Sequence, residues 1–127
     1  MGVFVGLDLV DVESVQATLG AHGDSYLSRI FTETERDECG SDTRKLATRF
    51  AAKEAVMKAL GRTEEPLAWS SIEVVARQGS APELLLHGAA LELARRRGIG
   101  RLSLSLSGAG GHAAAIVIGE TGTEGHR

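Results

Sequence analysis

The sequence contains a single cysteine, Cys39, among its 127 residues. An internal disulfide is therefore excluded, and with it the class of small domains held together by several disulfides. The start of the chain has neither a basic segment nor a long apolar run, so we expect no secretory leader and predict a cytoplasmic location. No apolar stretch approaches the roughly 20 residues that a membrane helix needs, so no membrane partner is expected.

Positive charge is also in short supply. The chain has 14 Lys and Arg against 17 Asp and Glu, a formal net charge of -3. A broad nucleic-acid-binding surface needs a basic excess to neutralise phosphates, so we expect no nucleic-acid partner. The basic residues that are present concentrate in one segment, where they predict a positive ridge suited to a compact anionic ligand: Arg44, Lys45, Arg49, Lys53, Lys58 and Arg62.

The remaining composition is that of an ordinary globular protein. Hydrophobic residues make up 43% and charged residues 24% of the chain, and its length is typical of one domain. Neither a repeat nor a linker divides the sequence. We therefore predict a single domain over 1–127, with a frayed tail over 119–127.

Apolar periodicity and turn residues predict an α+β fold, in which an antiparallel sheet packs against a long helix. The predicted strands are 3–10, 71–76, 83–87, 101–107 and 113–118. The predicted helices are 11–19, ended by Gly20, then 26–31, 32–39, 43–60 and 88–97. Thr32 and Glu35 have capping-box spacing, and the turn-like segment 77–82 predicts a hairpin between the second and third strands.

One charge interrupts the first strand. Asp8 lies in the middle of the apolar run 3–10. An ionised carboxylate among apolar neighbours is costly unless it is paired or bound to a cation, which makes Asp8 a candidate site residue. The alternative is a residue at the strand end that caps the next helix.

A second candidate pair lies on the long helix. Glu54 and Lys58 are four residues apart and therefore project from the same face. Taken alone, this spacing is typical of a surface ion pair, and only the surrounding sequence favours a functional role.

That surrounding sequence resembles a known family. The segment 49–61 reads RFAAKEAVMKALG, preceded by GLDLV at 6–10 and YLSRIFTETE at 26–35, and followed by LSLS at 104–107. Together these segments resemble the holo-acyl-carrier-protein synthase family, the small 4'-phosphopantetheinyl transferases, from about Val3 to Ile118. The resemblance implies a compact α+β unit that commonly assembles as a homotrimer with its sites between subunits.

The resemblance also implies an activity and its residues. Asp8 and Glu54 would hold a Mg²⁺ that also binds the pyrophosphate of coenzyme A, the substrate. Lys58 would face the phosphates, and Arg49 and Ser107 would bind the nucleotide side. The implied reaction transfers the 4'-phosphopantetheine arm to a serine hydroxyl of an acyl carrier protein and releases 3',5'-adenosine diphosphate, in fatty acid or polyketide biosynthesis. Glu54, directly or through water, is the candidate base.

Two positions depart from the family pattern. Gly108 stands where the family has a histidine, and His112 is either a surrogate for that imidazole or a solvated loop residue. Ser14 stands where many members carry an arginine that grips the carrier, so Arg29, Arg36 or another basic residue would have to dock it. These departures sustain an alternative, a repurposed relative that binds coenzyme A or an acyl carrier without transferring the arm. A purely structural module is the third interpretation.

Overall fold

Nine helices and strands and one 3₁₀ turn follow one another along the part of the chain that the structure, a computed structural model, describes, which is 2–61 and 67–122. The helices are α1 (Val12–Ile30), α2 (Glu33–Cys39), α3 (Thr43–Ala59) and α4 (Gly88–Arg96). The strands are β1 (Val3–Asp11), β2 (Ile72–Val75), β3 (Glu83–Leu86), β4 (Ile99–Ala109) and β5 (His112–Thr121), and a short 3₁₀ turn spans Trp69–Ser71. None of the described helices is long and apolar enough to cross a lipid bilayer.

The strands form two antiparallel sheets, which confirms the α+β prediction. The larger sheet has the order β1-β5-β4, and β2 pairs with β3 as the predicted hairpin. In the larger sheet Asp8 is opposite Ala115, and Ala115 is opposite Leu106. The three residues therefore share the face that packs against α3.

Two boundaries differ most from the prediction. Helix α1 continues past Gly20 and is interrupted at Gly23, whose φ of 70° lies in the left-handed region that favours glycine. Strand β5 runs to Thr121 rather than ending at Ile118, because Glu120 pairs with both Val3 and Arg101. The end of the predicted frayed tail, 123–127, lies outside the described residues.

Helix α3 lies very close to the sheet. Its buried face is rich in alanine, with Ala51 and Ala55 fully buried against the core. Opposite them, β1 presents Gly6, where a Cβ atom would lie 1.8 Å from the carbonyl oxygen of Ala55. Only a residue without a side chain permits this approach, so the glycine sets the distance between β1 and α3.

The other face of the sheet, which we call the outer face, is apolar and exposed. Along β1, Val3, Leu7 and Leu9 are 66%, 59% and 65% exposed, and Ile116 and Ile118 on β5 extend the same surface. On β4 the corresponding positions are serines, since Leu7 is opposite Ile116 and Ile116 is opposite Ser105. A contiguous apolar patch of this kind is typical of an association surface.

Candidate active site

Asp8 and Lys58 meet across the interface between β1 and α3. The ammonium of Lys58 donates to Oδ1 of Asp8 at 2.9 Å and to the carbonyl oxygen of Leu7 at 3.0 Å. The side chain of Asp8 is 13% exposed and that of Lys58 is 40% exposed. The charge in the middle of the first strand is therefore paired, and the cap of the following helix is another residue, Asp11, which accepts from the backbone N–H of Glu13.

Glu54 lies one helical turn before Lys58 on the same side of α3, and it is half-buried. Since Lys58 contacts Asp8 directly, the two predicted metal ligands flank one lysine. No group of three or more His, Cys, Asp or Glu side chains within 2–61 and 67–122 is arranged to hold a metal ion. Any divalent ion at this place would need ligands from outside this set of side chains.

A basic cavity of about 270 Å³ opens on another part of α3. Its walls bring together three predicted nucleotide-binding residues, Arg49, Ser107 and His112, and the position of the missing family histidine, Gly108. The remaining lining residues are Val12, Arg44, Lys45, Thr48, Leu106 and Ala113. None of Asp8, Glu54 and Lys58 lines this cavity, so the six predicted site residues fall into two groups of three.

Arg49 is the deepest basic group in the cavity. The residue is 7% exposed, and its Nη1 donates to the hydroxyl of Thr48 at 3.2 Å and weakly to the carbonyl oxygen of Lys45 at 3.4 Å. Its Nε is buried and has no hydrogen-bond partner among the described residues. A buried donor without an acceptor is costly, so the guanidinium of Arg49 is incompletely satisfied within the described residues.

The predicted positive ridge is wrong at one position. Lys53 is fully buried, and its ammonium lies 2.7 Å from the carboxylate of Glu35, which is also fully buried. Burial lowers the pKa of Lys53, and the neighbouring carboxylate opposes that effect. Arg62, the last predicted member of the ridge, lies outside the described residues.

Other members of the ridge belong to the site although they were not assigned a role from the sequence. Arg44 and Lys45 line the basic cavity together with Thr48. They lie one turn or so before Arg49 on the same helix, so helical spacing from the predicted arginine was the available signal. The prediction of a compact anionic ligand therefore applies to this end of α3.

An apolar cavity of about 290 Å³ lies on the other side of this end of α3, between α1 and α3. Val10 and Phe50 form the wall nearest the Asp8 site, because Val10 is two residues from Asp8 on β1 and Phe50 is one turn before Glu54. Ser14 is at the rim and donates to Oδ2 of Asp11 at 2.9 Å. The family arginine would stand at this rim. The two predicted alternatives for docking a carrier, Arg29 on α1 and Arg36 on α2, are both exposed.

Comparisons with known proteins identify the family of the chain. The family model for the 4'-phosphopantetheinyl transferase superfamily matches residues 4–117. Holo-[acyl-carrier-protein] synthase of Moorella thermoacetica is 39% identical over 91% of this chain and 92% of its own length. The corresponding synthase of Anaeromyxobacter dehalogenans is 43% identical over 90% of this chain and 92% of its own length.

Solved structures give the same result for the fold. The ACPS-CoA complex from Chronobacterium ammoniagenes superposes with a TM-score of 0.82 and is 31% identical, covering 96% of this chain and 99% of that chain. The recognisable motifs, the α+β architecture and the match of most of the sequence therefore lead to one conclusion. The chain belongs to the 4'-phosphopantetheinyl transferase superfamily.

Proposed function

We propose that the protein transfers the 4'-phosphopantetheine arm of coenzyme A to a serine hydroxyl of an acyl carrier protein, with Mg²⁺, and releases 3',5'-adenosine diphosphate. The observation that carries this proposal is the contact of Asp8 and Lys58 across β1 and α3, with Glu54 one turn away. Two acids and a lysine at one place are the groups that phosphoryl transfer requires. Membership of the transferase superfamily and the names of the relatives support the substrate assignment.

The donor set fits a magnesium ion. Mg²⁺ prefers oxygen ligands and is usually held by one or two carboxylates together with substrate phosphates and water. Asp8 and Glu54 would supply the two carboxylates, which explains why no larger cluster of protein ligands is needed. The bound ion would neutralise charge on the pyrophosphate.

The side chains of the chain supply the remaining chemistry. Lys58 is exposed enough to turn its ammonium from Asp8 towards a phosphate oxygen, where it stabilises the charge that develops as the bond to the leaving nucleotide breaks. Glu54 accepts the proton of the attacking serine hydroxyl, directly or through water. The new bond joins the serine oxygen to the phosphorus of the arm, and the electron pair of the broken bond remains on the nucleotide.

The basic cavity would hold the nucleotide end of coenzyme A. Arg44, Lys45 and Arg49 surround it with positive charge, and Nε of Arg49 lacks an acceptor. His112 lines the same cavity, while its Nδ1 is 3.1 Å from the carbonyl oxygen of Gly110. This placement favours the imidazole of His112 as the surrogate for the histidine missing at position 108.

The carrier would approach from the side of the apolar cavity. Its serine must reach a phosphate held near Asp8, and Val10 and Phe50 place that cavity directly beside this position. Arg29 and Arg36 are exposed on the neighbouring helices and would pair with acidic groups of the carrier. The serine at position 14 removes one positive charge from this surface without closing the cavity.

The active unit would be a homotrimer in which a second copy covers the outer face. The exposed side chains of Val3, Leu7 and Leu9 support self-association. The separation of the six site residues into two groups supports sites at subunit boundaries, where one copy would supply the metal ligands and its neighbour the basic cavity. A cytoplasmic location, favoured by the single cysteine, belongs to the same proposal.

The test is direct transfer. The protein is incubated with coenzyme A, Mg²⁺ and a panel of apo acyl carrier proteins, and the carriers are weighed by mass spectrometry. A mass gain of one phosphopantetheine that disappears with excess EDTA and with the Asp8→Asn variant supports the proposal. Metal-dependent binding of coenzyme A without any mass gain would replace it with the second candidate, a repurposed relative, which the glycine at position 108 favours. No binding at all would leave a structural module.

A further inference from the structure

The interface between α3 and the sheet is close but smooth. The side chains of α3 that face the core are mainly alanines, and β1 offers Gly6 at the point of closest approach. Such a surface allows two backbones to approach, but it has few projections that would prevent a helix from sliding or rotating. Phe4 and Val10 of β1 pack against the cluster that contains Val56, and directional contacts elsewhere on α3 would add to what this packing fixes.

The fully buried ion pair of Lys53 and Glu35 adds a directional constraint on α3, made to α2, the 3₁₀ turn and β2 rather than to β1 itself. The ammonium of Lys53 is 2.7 Å from Oε1 of Glu35 and donates to the carbonyl oxygens of Trp69, at 3.2 Å, and Ile72. Three hydrogen-bond directions of one lysine thus connect α3 to three other parts of the fold. Because hydrogen bonds are directional, this arrangement restricts both the rotation of α3 about its axis and its translation along that axis.

Glu35 is held equally firmly at its end. Its Oε1 also accepts the backbone N–H of Thr32 at 2.9 Å, and its Oε2 accepts the backbone N–H of Val74 at 2.7 Å. The carboxylate therefore belongs both to the N-terminus of α2 and to β2. Because two backbone N–H groups hold the carboxylate of Glu35 in place, its contact with Lys53 restrains α3 relative to α2 and β2.

We propose that the Lys53–Glu35 pair is a positioning device that aligns Glu54 and Lys58 on α3 with Asp8 on β1. Lys53 precedes Glu54 directly in the sequence, and the contact between Lys58 and Asp8 crosses the smooth interface. Mg²⁺ demands nearly ideal octahedral geometry, so a small shift of α3 would weaken metal binding. This inference rests on the proposed function of the same site.

The alternative is that the pair only stabilises the fold, and a double replacement separates the two roles. Breaking a buried pair by changing one partner is destabilising, whereas replacing both partners with apolar side chains of similar size is often neutral. We therefore compare Lys53→Met with the double variant Lys53→Met and Glu35→Leu. Leu93→Ala, which opens a cavity at a buried position of α4, serves as the control for lost stability.

The readouts are the melting temperature, kcat, KM for coenzyme A, the half-saturating Mg²⁺ concentration, and Mn²⁺ binding followed by electron paramagnetic resonance. The double variant leaves the backbone groups that Glu35 and Lys53 satisfy without partners. We therefore expect it to melt above Lys53→Met but below the wild type, while its half-saturating Mg²⁺ and its Mn²⁺ dissociation constant stay raised about 10-fold. The Leu93→Ala protein should show the lower melting temperature with wild-type metal affinity. A double variant that regains stability and metal affinity together would overturn the positioning role. If the double variant does not fold, Lys53→Met is measured well below its melting temperature, and wild-type Mn²⁺ affinity in that protein would also overturn the role.

These outcomes can be told apart from a failure of the proposed function. If the wild-type protein transfers no arm to any carrier, the reaction assignment fails, but Mn²⁺ binding still measures the alignment of Asp8 and Glu54. If the wild-type protein is active and the variants bind Mn²⁺ normally, only the positioning role fails.

Discussion

At the scale of single residues, Lys58 has the most direct chemical role in the proposed site. Its ammonium contacts Asp8 in the structure and is 40% exposed, so the fold does not depend on it. We expect Lys58→Met to lower kcat about 10²- to 10³-fold, the usual effect of removing one group that stabilises transition-state charge, with little change in melting temperature. The rate is measured by carrier mass gain in a stopped time course.

The matched control is Arg96→Met, which removes an exposed positive charge from the last turn of α4. It should leave the rate unchanged. If both variants slowed transfer equally, general electrostatic attraction rather than a specific contact would explain the effect of Lys58.

His112 permits a test by loss and restoration. We expect His112→Ala to raise KM for coenzyme A about 5-fold with a smaller effect on kcat, because the imidazole lines the basic cavity away from Asp8. A Cβ atom at Gly108 would lie 3.6 Å from the nearest atom, the carbonyl oxygen of His112, so a side chain fits there. Adding Gly108→His to the His112→Ala protein should therefore restore KM.

Steady-state kinetics with varied coenzyme A check this prediction. If KM does not change in His112→Ala, His112 is a solvated loop residue without a role in binding coenzyme A. The surrogate hypothesis would also fail if KM rose in His112→Ala and Gly108→His raised it further.

At the scale of secondary-structure elements, the close contact of β1 and α3 makes a sharp prediction. We expect Gly6→Ala to destabilise the fold by about 2 kcal/mol or more, since its Cβ would lie 1.8 Å from the carbonyl oxygen of Ala55. The same displacement would separate Asp8 from Lys58 and lower activity. Urea unfolding and the transfer assay measure the two effects.

Gly20→Ala is the matched control within α1, because nothing lies within 4 Å of the added Cβ. It should stabilise the protein by roughly 0.5 to 1 kcal/mol, as alanine replaces glycine in a helix. Equal effects of the two substitutions would mean that β1 and α3 are not in close contact.

Glu73 on β2 links the beginnings of two helices. Its carboxylate accepts from the hydroxyl of Thr32 at 2.6 Å, the residue that caps α2, and lies 2.9 Å from Nε2 of His87, which precedes α4. Burial raises the pKa of Glu73, but the hydrogen bonds from Thr32 and His87 outweigh it and hold the pKa below the ordinary value of 4.5. The lowered pKa means that the carboxylate stabilises the fold above pH 4.5 and loses this contribution as the pH falls through the folded-state pKa.

We therefore expect Glu73→Gln to be less stable than the wild type at pH 7 and the difference to shrink as the pH falls below 4.5 and through the lowered folded-state pKa. Urea unfolding midpoints at pH 7 and at pH values below 4.5 test this. A difference that stays constant with pH would show that the lost contacts, not the charge, cause the effect.

Comparison of the predicted and observed elements shows which parts of the site could be predicted from the sequence. The structure brings Asp8 and Lys58 into contact, a pairing that came from the family resemblance, because periodicity gives only the face that each residue occupies on its own element. The roles of Asp8, Glu54 and Lys58 stay predictions. The burial of Lys53 was not predicted, although its position is three residues from Phe50 and Val56 and seven from Leu46 and Leu60, all apolar residues of the same helix. A lysine is rarely buried without a paired charge, and its partner, Glu35, is 18 residues away in the sequence, where its spacing from Thr32 already indicates a capping role.

Long-range pairing explains the other differences. Both Gly20 and Gly23 are possible ends for a helix from local sequence, and only the backbone conformation identifies Gly23 as the break. The extension of β5 to Thr121 depends on pairing with the first and fourth strands rather than on its own apolar residues. Likewise, the basic cavity requires residues from α3, the end of β4 and the start of β5 to converge.

At the scale of the whole molecule, the outer face bears on whether a single chain can form a complete active site. Val5 and Leu7 on this face are 55% and 59% exposed in a single copy. Association with further copies would bury both side chains. We expect the wild type to have the mass of a trimer by light scattering and Leu7→Glu to have the mass of a monomer. Because the basic cavity and the Asp8 site would then no longer meet, transfer should fall at least 100-fold.

The control for this change is Gln78→Glu, which adds the same charge to the exposed turn between β2 and β3 and should alter neither mass nor rate. Far-ultraviolet circular dichroism must show that Leu7→Glu remains folded. We expect it to fold, because a charge at an exposed strand position is solvated when no partner covers it. If this monomer retains full activity, the two groups of site residues act within one chain, and coenzyme A must reach from the basic cavity around α3 to Asp8. A monomeric wild type would remove the trimer from the proposal while leaving the metal site and its lysine intact.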